Sequence, residues 1–449
     1  MYTDWLLEEI ERKWSEKEFM IWHGDVKCYS WLKKEILYWK GYLQRNSINS
    51  GQIVSLEGDY SPAIVALFLA LMWNKNIIVP IANVTFKEMK RRHEIANVMV
   101  RFIFEKNKLK LKEQVLNKKI KNELLEMFID KNEPGLILFS SGSTGSSKGI
   151  LHNLNILTEK FYESKKSFKS LIFLLFDHIG GINTLFSIIS SGGTLVVTSS
   201  RQPEDILNYI EKYKIELLPT SPTFLNLILM SEVYEHYDCS SLKLITYGTE
   251  SMPESLLKRL KNIFPDVRFK QTYGISEVGI LGTKSESSES VWMKIGGKGY
   301  QIKVVDEILW IKTKISMIGY LNAPSPFTED GWFITGDKVE VKSEYLKIVG
   351  RDTDIINVGG EKVSPLEVEN VILQMDNVEY VTVYGEKNFI TGQMVVAEVN
   401  LSSDESLMSL KKRIHEFCKD KLGKYKIPAK IKITDSQLYN ERFKKVRVK

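Results

Sequence analysis

Cysteine is scarce in this chain. Three residues, Cys28, Cys239 and Cys418, lie far apart and form no Cys-x-x-Cys pair. So sparse and odd a count argues against a disulfide framework and against a zinc site, and a reducing cytoplasm suits it best. Long apolar runs are also missing. The longest, Ala63 to Trp73, falls well short of the ~20 residues that span a bilayer and reads as a buried helix. The N-terminus turns Glu-rich within a few residues, unlike a signal peptide. No zinc-finger spacing, basic heptad or aromatic RNA-binding signature occurs, so nucleic acid is not an expected partner. No Gly-Lys-Ser/Thr unit occurs either, which excludes the Walker phosphate loop. Internal repeats and low-complexity linkers are absent.

What is present is ordinary globular material. The 449 residues are 43% hydrophobic and 26% charged, with a net charge of +6, enough for roughly three lobes. From residue 50 to 280, short apolar runs ("NIIVPI", "GLILFS", "LIFLLF", "TLVVTS", "LKLITYG") alternate with helical patterns such as Pro203–Tyr213 and Pro253–Ile263. That alternation predicts parallel sheets flanked by helices. Between 285 and 350, "YQIKVVDEILWIKT" and "KVEVKSEYLKIVG" predict a β-rich lobe. After Arg351 the pattern changes to strand, Gly-Gly turn and helix, then two strands and a last helix at about Leu407–Leu422. The expected class is α/β: a large N-terminal domain over 1–350, comprising helix-flanked sheets and the β-rich lobe, and a small mobile α+β C-terminal domain over 351–449. Residues 401–449 carry 14 Lys/Arg against 6 Asp/Glu. Such a run is ordinarily a solvated face, and otherwise a landing surface for a phosphate-bearing or acidic partner.

The most informative segment is Phe139-Ser140-Ser141-Gly142-Ser143-Thr144-Gly145-Ser146-Ser147-Lys148-Gly149, directly after an apolar strand. Glycines let the backbone bring its N–H groups to an anion, the hydroxyls add donors, and Lys148 adds charge. A flexible Gly/Ser linker would have the same composition, but not the lysine and not the buried strand beside it.

This segment resembles the signature of the acyl-adenylate-forming superfamily: acyl-CoA synthetases, peptide-synthetase adenylation domains and luciferases. The family usually has proline where Ser147 stands. Further motifs follow in the family's order, covering the chain from about residue 50 onward. "ITYGTESMP" is similar to the turn beside the adenine pocket, which implicates Gly248, Thr249 and Glu250. "TYGISEVG" resembles the Tyr-Gly-x-Thr-Glu element. The resemblance implies Tyr273-Gly274 against adenine, Ser276 on the α-phosphate and Glu277 on Mg²⁺. "WFITGDK" places Asp337 on the ribose hydroxyls, and "GRDTDIINVGGEKVSPLEVE" places Arg351 on ribose or phosphates, with Thr353 at the hinge.

By the same resemblance, Ser141, Gly142, Ser143, Thr144, Gly145 and Lys148 cradle the phosphates, Thr144 also acting in catalysis. The tail "NERFKKVRVK" supplies the catalytic lysine, Lys444, with Lys445 as its rival and Phe443 where the family has glycine. A frayed basic tail is the alternative reading of that stretch. His178, in "LLFDHIGGINTLF", would wall the acid pocket, and Gly359-Gly360 would make room for a pantetheine arm. The implied activity is ATP- and Mg²⁺-dependent conversion of a carboxylic acid, acyl or aryl rather than amino, to an acyl-AMP. Transfer follows to coenzyme A, or to the phosphopantetheine of an acyl carrier protein. An amine acceptor and a catalytically silent nucleotide binder stay open.

Overall fold

The computed structural model describes residues 1–105, 108–114, 120–140, 147–163, 166–198, 200–297 and 299–434. Among these, two seven-stranded sheets enclose one apolar core. The first runs, strand by strand, Gly319–Tyr320, Lys148–Asn153, Gly135–Ser140, Ile77–Ile81, Ile53–Glu57, Val100–Glu105 and Lys108–Gln114. The second runs Arg268–Gln271, Leu244–Tyr247, Leu217–Thr220, Lys169–Ile172, Thr194–Val197, Glu18–Trp22 and Asp25–Cys28. Their central pairings are parallel, as strand–helix alternation requires.

The helix Pro62–Trp73 shows why they come together. It is apolar all round, so no face of it suits water. Its residues Ile64–Met72 are fully buried, in one cluster with Val54 and Ile78 of the first sheet and Leu195 and Ile172 of the second. Ser61 caps it, accepting from Ile64 N–H at 3.2 Å, and Pro62 opens its first turn. The long apolar run is thus a buried helix, and no helix among the described residues is long and apolar enough to cross a membrane.

A six-stranded sheet over residues 283–351 forms the β-rich lobe, with its hairpins at Tyr300–Thr313 and Phe333–Arg351. The remaining chain builds a smaller sheet from Ile356–Val358, Glu361–Val363, Val378–Asn388, Gly392–Leu401 and Lys430–Ile433. Helices Pro365–Ile372 and Leu407–Cys418 cover it and close a separate core. Part of the basic run is already engaged there: Lys426 pairs with Glu367 at 2.7 Å and Lys430 with Glu386 at 2.7 Å.

The structure differs from the sequence pattern at "LIFLLF". The strand ends at Ile172, and Phe173–Asp177 is a turn. Side chains take the backbone groups a longer strand would have used. Arg201 Nε donates to the Phe173 carbonyl (2.7 Å), and Asp59 accepts from Phe176 N–H (3.2 Å) while pairing with Arg201 (2.9 Å).

Candidate active site

Asp337 is the organising group. It lies on the strand Phe333–Lys342, which pairs with Tyr345–Arg351 in a register that sets Asp337 opposite Arg351. Its carboxylate is buried and accepts from the Tyr273 hydroxyl at 2.6 Å and from Arg351 Nε at 3.1 Å. Its own N–H donates to Thr335 Oγ1 at 3.0 Å. Burial, and then the neighbouring carboxylate, push the Tyr273 phenol well above its ordinary value, so it stays protonated and donates. Burial opposes the charge of Arg351, but Asp337 more than offsets that. Thr249, Glu250, Tyr273, Gly274, Asp337 and Arg351 all line one cavity of about 370 Å³.

The opposite wall is the turn after the strand Leu244–Tyr247. A Cβ on Gly248 would lie 2.4 Å from Thr272 Oγ1 and 2.8 Å from its carbonyl, so only glycine lets the two strand ends approach. Thr249 follows at φ +72°, left-handed backbone that a β-branched residue rarely adopts. Glu250 then accepts from Thr223 Oγ1 at 3.0 Å, and the Tyr380 hydroxyl lies 3.3 Å from the same oxygen. Tyr380 belongs to the small C-terminal sheet, so this turn is where that unit meets the large one. Asn226 Nδ2 to the Glu379 carbonyl (3.0 Å) and Ser364 Oγ to the Val349 carbonyl (3.0 Å) complete the junction.

A second constellation gathers at the edge strand Gly319–Tyr320. It pairs antiparallel with Lys148–Asn153 and carries Tyr320 alongside Lys148, whose Nζ lies 4.9 Å from the ring centroid. The Tyr320 hydroxyl donates to Glu277 Oε1 at 2.6 Å. Burial and the Glu277 charge raise that phenol well above its ordinary value, which keeps the proton on tyrosine. The Glu277 carbonyl accepts from Met317 N–H at 2.7 Å. One residue earlier, the Ser276 carbonyl lies 2.7 Å from His152 Nε2. Burial drives the His152 imidazole down to about 4, so it is neutral at pH 7 and donates through Nε2. Asn322 fixes the end of the Ser/Gly-rich segment: its Oδ1 accepts from Gly149 N–H (2.9 Å) and its Nδ2 donates to the Ser147 carbonyl (3.0 Å).

The two constellations are joined by the three residues between Tyr273 and Glu277. Tyr273 enters the tight antiparallel pairing of Gly274–Ile275 with Gly279–Ile280 and Glu277 lies in its loop, so one hairpin reaches from Asp337 to Tyr320. A Cβ on Gly274 would stand 2.7 Å from the Gly279 carbonyl and open that hairpin.

Other sequence-predicted positions lie apart. His178 caps the helix Ile179–Ile189, its Nδ1 accepting from Gly180 N–H at 3.1 Å. Gly359 and Gly360 are the two central residues of a tight hairpin, at φ +62° and +93°, tied to the Thr391 carbonyl and Asn357 Oδ1. Neither group is among the residues lining the cavity, nor are Lys148, Gly248, Ser276 and Glu277. Ser141, Gly142, Ser143, Thr144, Gly145, Lys444 and Lys445 lie outside the described residues. Sequence reasoning missed Tyr320, Asn322, His152, Thr223 and Tyr380. A lone tyrosine or histidine reads as core, and no local pattern announces that residues 319–320 pair with 150–151.

A model described as "AMP-binding enzyme" matches residues 7–321, and one described as "AMP-binding enzyme C-terminal domain" matches 367–445. The chain belongs to the AMP-binding enzyme family. Acyl-CoA synthetase 7 of Caenorhabditis elegans is 30% identical over 350 residues, 70% of this chain and 65% of that protein. 4-Coumarate–CoA ligase-like 9 of Arabidopsis thaliana is 28% identical over 54% of this chain and 49% of its own. The chain therefore spans about half to two thirds of these AMP-binding relatives. Among solved structures, the anthranilate CoA ligase AuaEII in complex with anthranoyl-AMP superposes with a TM-score of 0.83 at 19% identity, covering 99% of this chain and 95% of that one. The AMP-binding fold is shared along nearly the whole chain.

Proposed function

We propose that this protein activates a carboxylic acid with ATP and then transfers the acyl group to the thiol of coenzyme A. The observation that carries the proposal is the hairpin from Tyr273 to Ile280, which links an Asp337–Arg351 end suited to a nucleoside with a Lys148–Tyr320–Glu277 end suited to phosphate and metal. The names of these relatives, an acyl-CoA synthetase and a CoA ligase-like protein, favour coenzyme A over a carrier-protein phosphopantetheine. Three free cysteines suit a reducing compartment, and we assign the enzyme to the cytoplasm.

The residues fit the nucleotide. Asp337 holds two donors, and a carboxylate has about four acceptor sites, which leaves room for two ribose hydroxyls. The Tyr273 ring, keyed by its hydroxyl, offers a face to adenine beside the Gly248-Thr249-Glu250 turn. Arg351 reaches ribose or phosphate from the rim. Ser276 would contact the α-phosphate, and Lys148 with the Ser141–Gly145 segment and its Thr144 the β- and γ-phosphates. Glu277 presents a single hard oxygen, which fits a Mg²⁺ that takes its other ligands from phosphate oxygens and water. That ion would neutralise phosphate charge.

In the first half-reaction a carboxylate oxygen attacks the α-phosphorus, and the bond to pyrophosphate breaks. The protein aligns the two anions and offsets their repulsion, the main tasks in phosphoryl chemistry of this kind. Lys444 would lie between them. In the second, the thiolate attacks the acyl carbon and AMP leaves. We place the domain division at 350/351, with the 351–449 unit rotating between steps so that Gly359-Gly360 replaces Lys444 at the site. His178, fixed by its cap, would wall the acid.

The test is acid-dependent exchange of labelled pyrophosphate into ATP over a panel of aliphatic and aryl acids, with coenzyme A added to the positives. One or more acids should drive exchange and yield an acyl-CoA. A chain that binds ATP yet exchanges with no acid would refute activation, and an acyl-AMP transferred only to a carrier protein or an amine would refute the acceptor. A narrower result is expected at Tyr320. Tyr320→Phe removes the donor to Glu277 and should raise the Mg²⁺ concentration for half-maximal exchange about tenfold, the lower end for loss of a ligand's supporting bond. An unchanged Mg²⁺ titration would remove Tyr320 from the site.

A further inference from the structure

Ser147 stands where the resembled family usually has proline. Proline fixes its own φ and needs no partner, whereas serine leaves the backbone free, so its position must come from bonds. Those bonds exist. The Ser147 carbonyl is held by Asn322, and its hydroxyl bonds to Glu88 Oε1. Glu88 sits in the first turn of the helix Phe86–Ile95, whose N-cap Thr85 accepts from Glu88 N–H at 3.3 Å. Burial works against the Glu88 charge, but the bonds from Ser147 and Arg92 outweigh it and hold the carboxyl below its ordinary value. The bond to Ser147 is therefore charge-assisted.

Behind Glu88 the network goes inward. Arg92, one turn on, donates through Nε to the same Oε1 at 3.1 Å and through Nη1 to Asp177 Oδ2 at 3.0 Å. The Arg92 and Asp177 side chains are only 7% and 1% exposed, so this pair is a fixed point of the fold. Asp177 immediately precedes His178 and the helix Ile179–Ile189. Four side chains thus connect the end of the Ser/Gly-rich segment to the turn that carries His178.

We propose that Ser147 is a positioning residue: through Glu88 and the Arg92–Asp177 pair, its hydroxyl sets the exit of the phosphate-binding segment against the acid-side turn. The proposal rests on the reading that this segment holds the phosphates of ATP. It assigns the anchoring task of the missing proline to a hydrogen-bonded relay.

Calorimetric titration of the full-length chain with MgATP, with no acid or thiol present, tests it. Ser147→Ala should weaken ATP binding about 10- to 100-fold, the size of one charge-assisted hydrogen bond. Ser147→Thr, which keeps the hydroxyl, should stay within about twofold of wild type, which separates loss of the bond from damage to the fold. Glu88→Ala, which removes the acceptor, should weaken binding like Ser147→Ala, and the double variant should be no worse than the weaker single, because both remove the same bond. Wild-type affinity in Ser147→Ala, no rescue by threonine, or losses that multiply would each overturn the relay. Because only ATP binding is read, failure here leaves acid activation standing. Conversely, a chain that binds ATP but activates no acid leaves the relay intact.

Discussion

Replacing Lys444 with alanine should reduce acid-dependent pyrophosphate exchange by about 10²- to 10³-fold, the loss seen when one preorganised transition-state donor is removed. In the proposed reaction a carboxylate and a triphosphate are brought together, and negative charge would build on the phosphoryl oxygens and the departing pyrophosphate as the α-phosphorus is attacked. A lysine placed between the two anions acts on charge that grows in the transition state, so the loss should appear mainly in kcat. Transfer from a supplied acyl-AMP to coenzyme A should stay within a few-fold of wild type, since the anhydride is then already made and, in the proposed rotation, the lysine would have left. Lys445→Ala should leave both steps near wild type. Rapid-quench measurement of the two half-reactions separates these outcomes, and equal loss of both steps in Lys444→Ala would contradict the assignment.

Arg92→Ala should destabilise the protein by about 3–5 kcal/mol, because removing one partner of a buried pair leaves the other charge uncompensated. Here the group left behind is Asp177, with a side chain 1% exposed, which loses its Arg92 partner. Arg92 also bonds Glu88 and places its guanidinium 5.1 Å from the Phe139 ring centroid, so packing and a cation–π contact go with it. An apolar replacement of both members, Arg92→Met with Asp177→Leu, should recover most of the loss, since both buried charges then go together. Thermal unfolding checks this. A midpoint within a degree of wild type for Arg92→Ala would show that the pair is dispensable.

Much of the architecture was legible because local and global preferences agree. The run Pro62–Trp73 has no polar face, so it can only be a buried helix. The runs 300–313 and 333–351 carry their own turns and fold into antiparallel hairpins. Gly359-Gly360 is the dipeptide a two-residue hairpin loop demands, and it forms one. At the site, the motifs that carried the family resemblance bring Tyr273 and Arg351 to the Asp337 carboxylate, across 78 residues of chain between first and last. That convergence came from the resemblance, since composition and periodicity contain nothing about it.

The rest depends on partners far away in sequence. "LIFLLF" has the composition of a longer strand, yet Asp59 and Arg201 claim its backbone groups and turn it. Tyr320 gains its meaning from an edge pairing with residues 150–151 and from Glu277, 43 positions earlier. His152 reads as a core residue, which it is, but it is also the clamp on the Ser276 carbonyl. Arg92 sits on a polar helix with the look of a solvated face, and Asp177 in the turn draws it inside.

The central claim is that residues scattered from Lys148 to Arg351 serve a single nucleotide. A crystal structure with a non-hydrolysable ATP analogue and Mg²⁺ tests it most directly. The adenosine should fill the cavity beside Tyr273 with both ribose hydroxyls on Asp337, and the phosphates should extend toward Lys148 and the metal toward Glu277. An analogue bound elsewhere, or bound there with Asp337 untouched and the metal away from Glu277, would contradict the account.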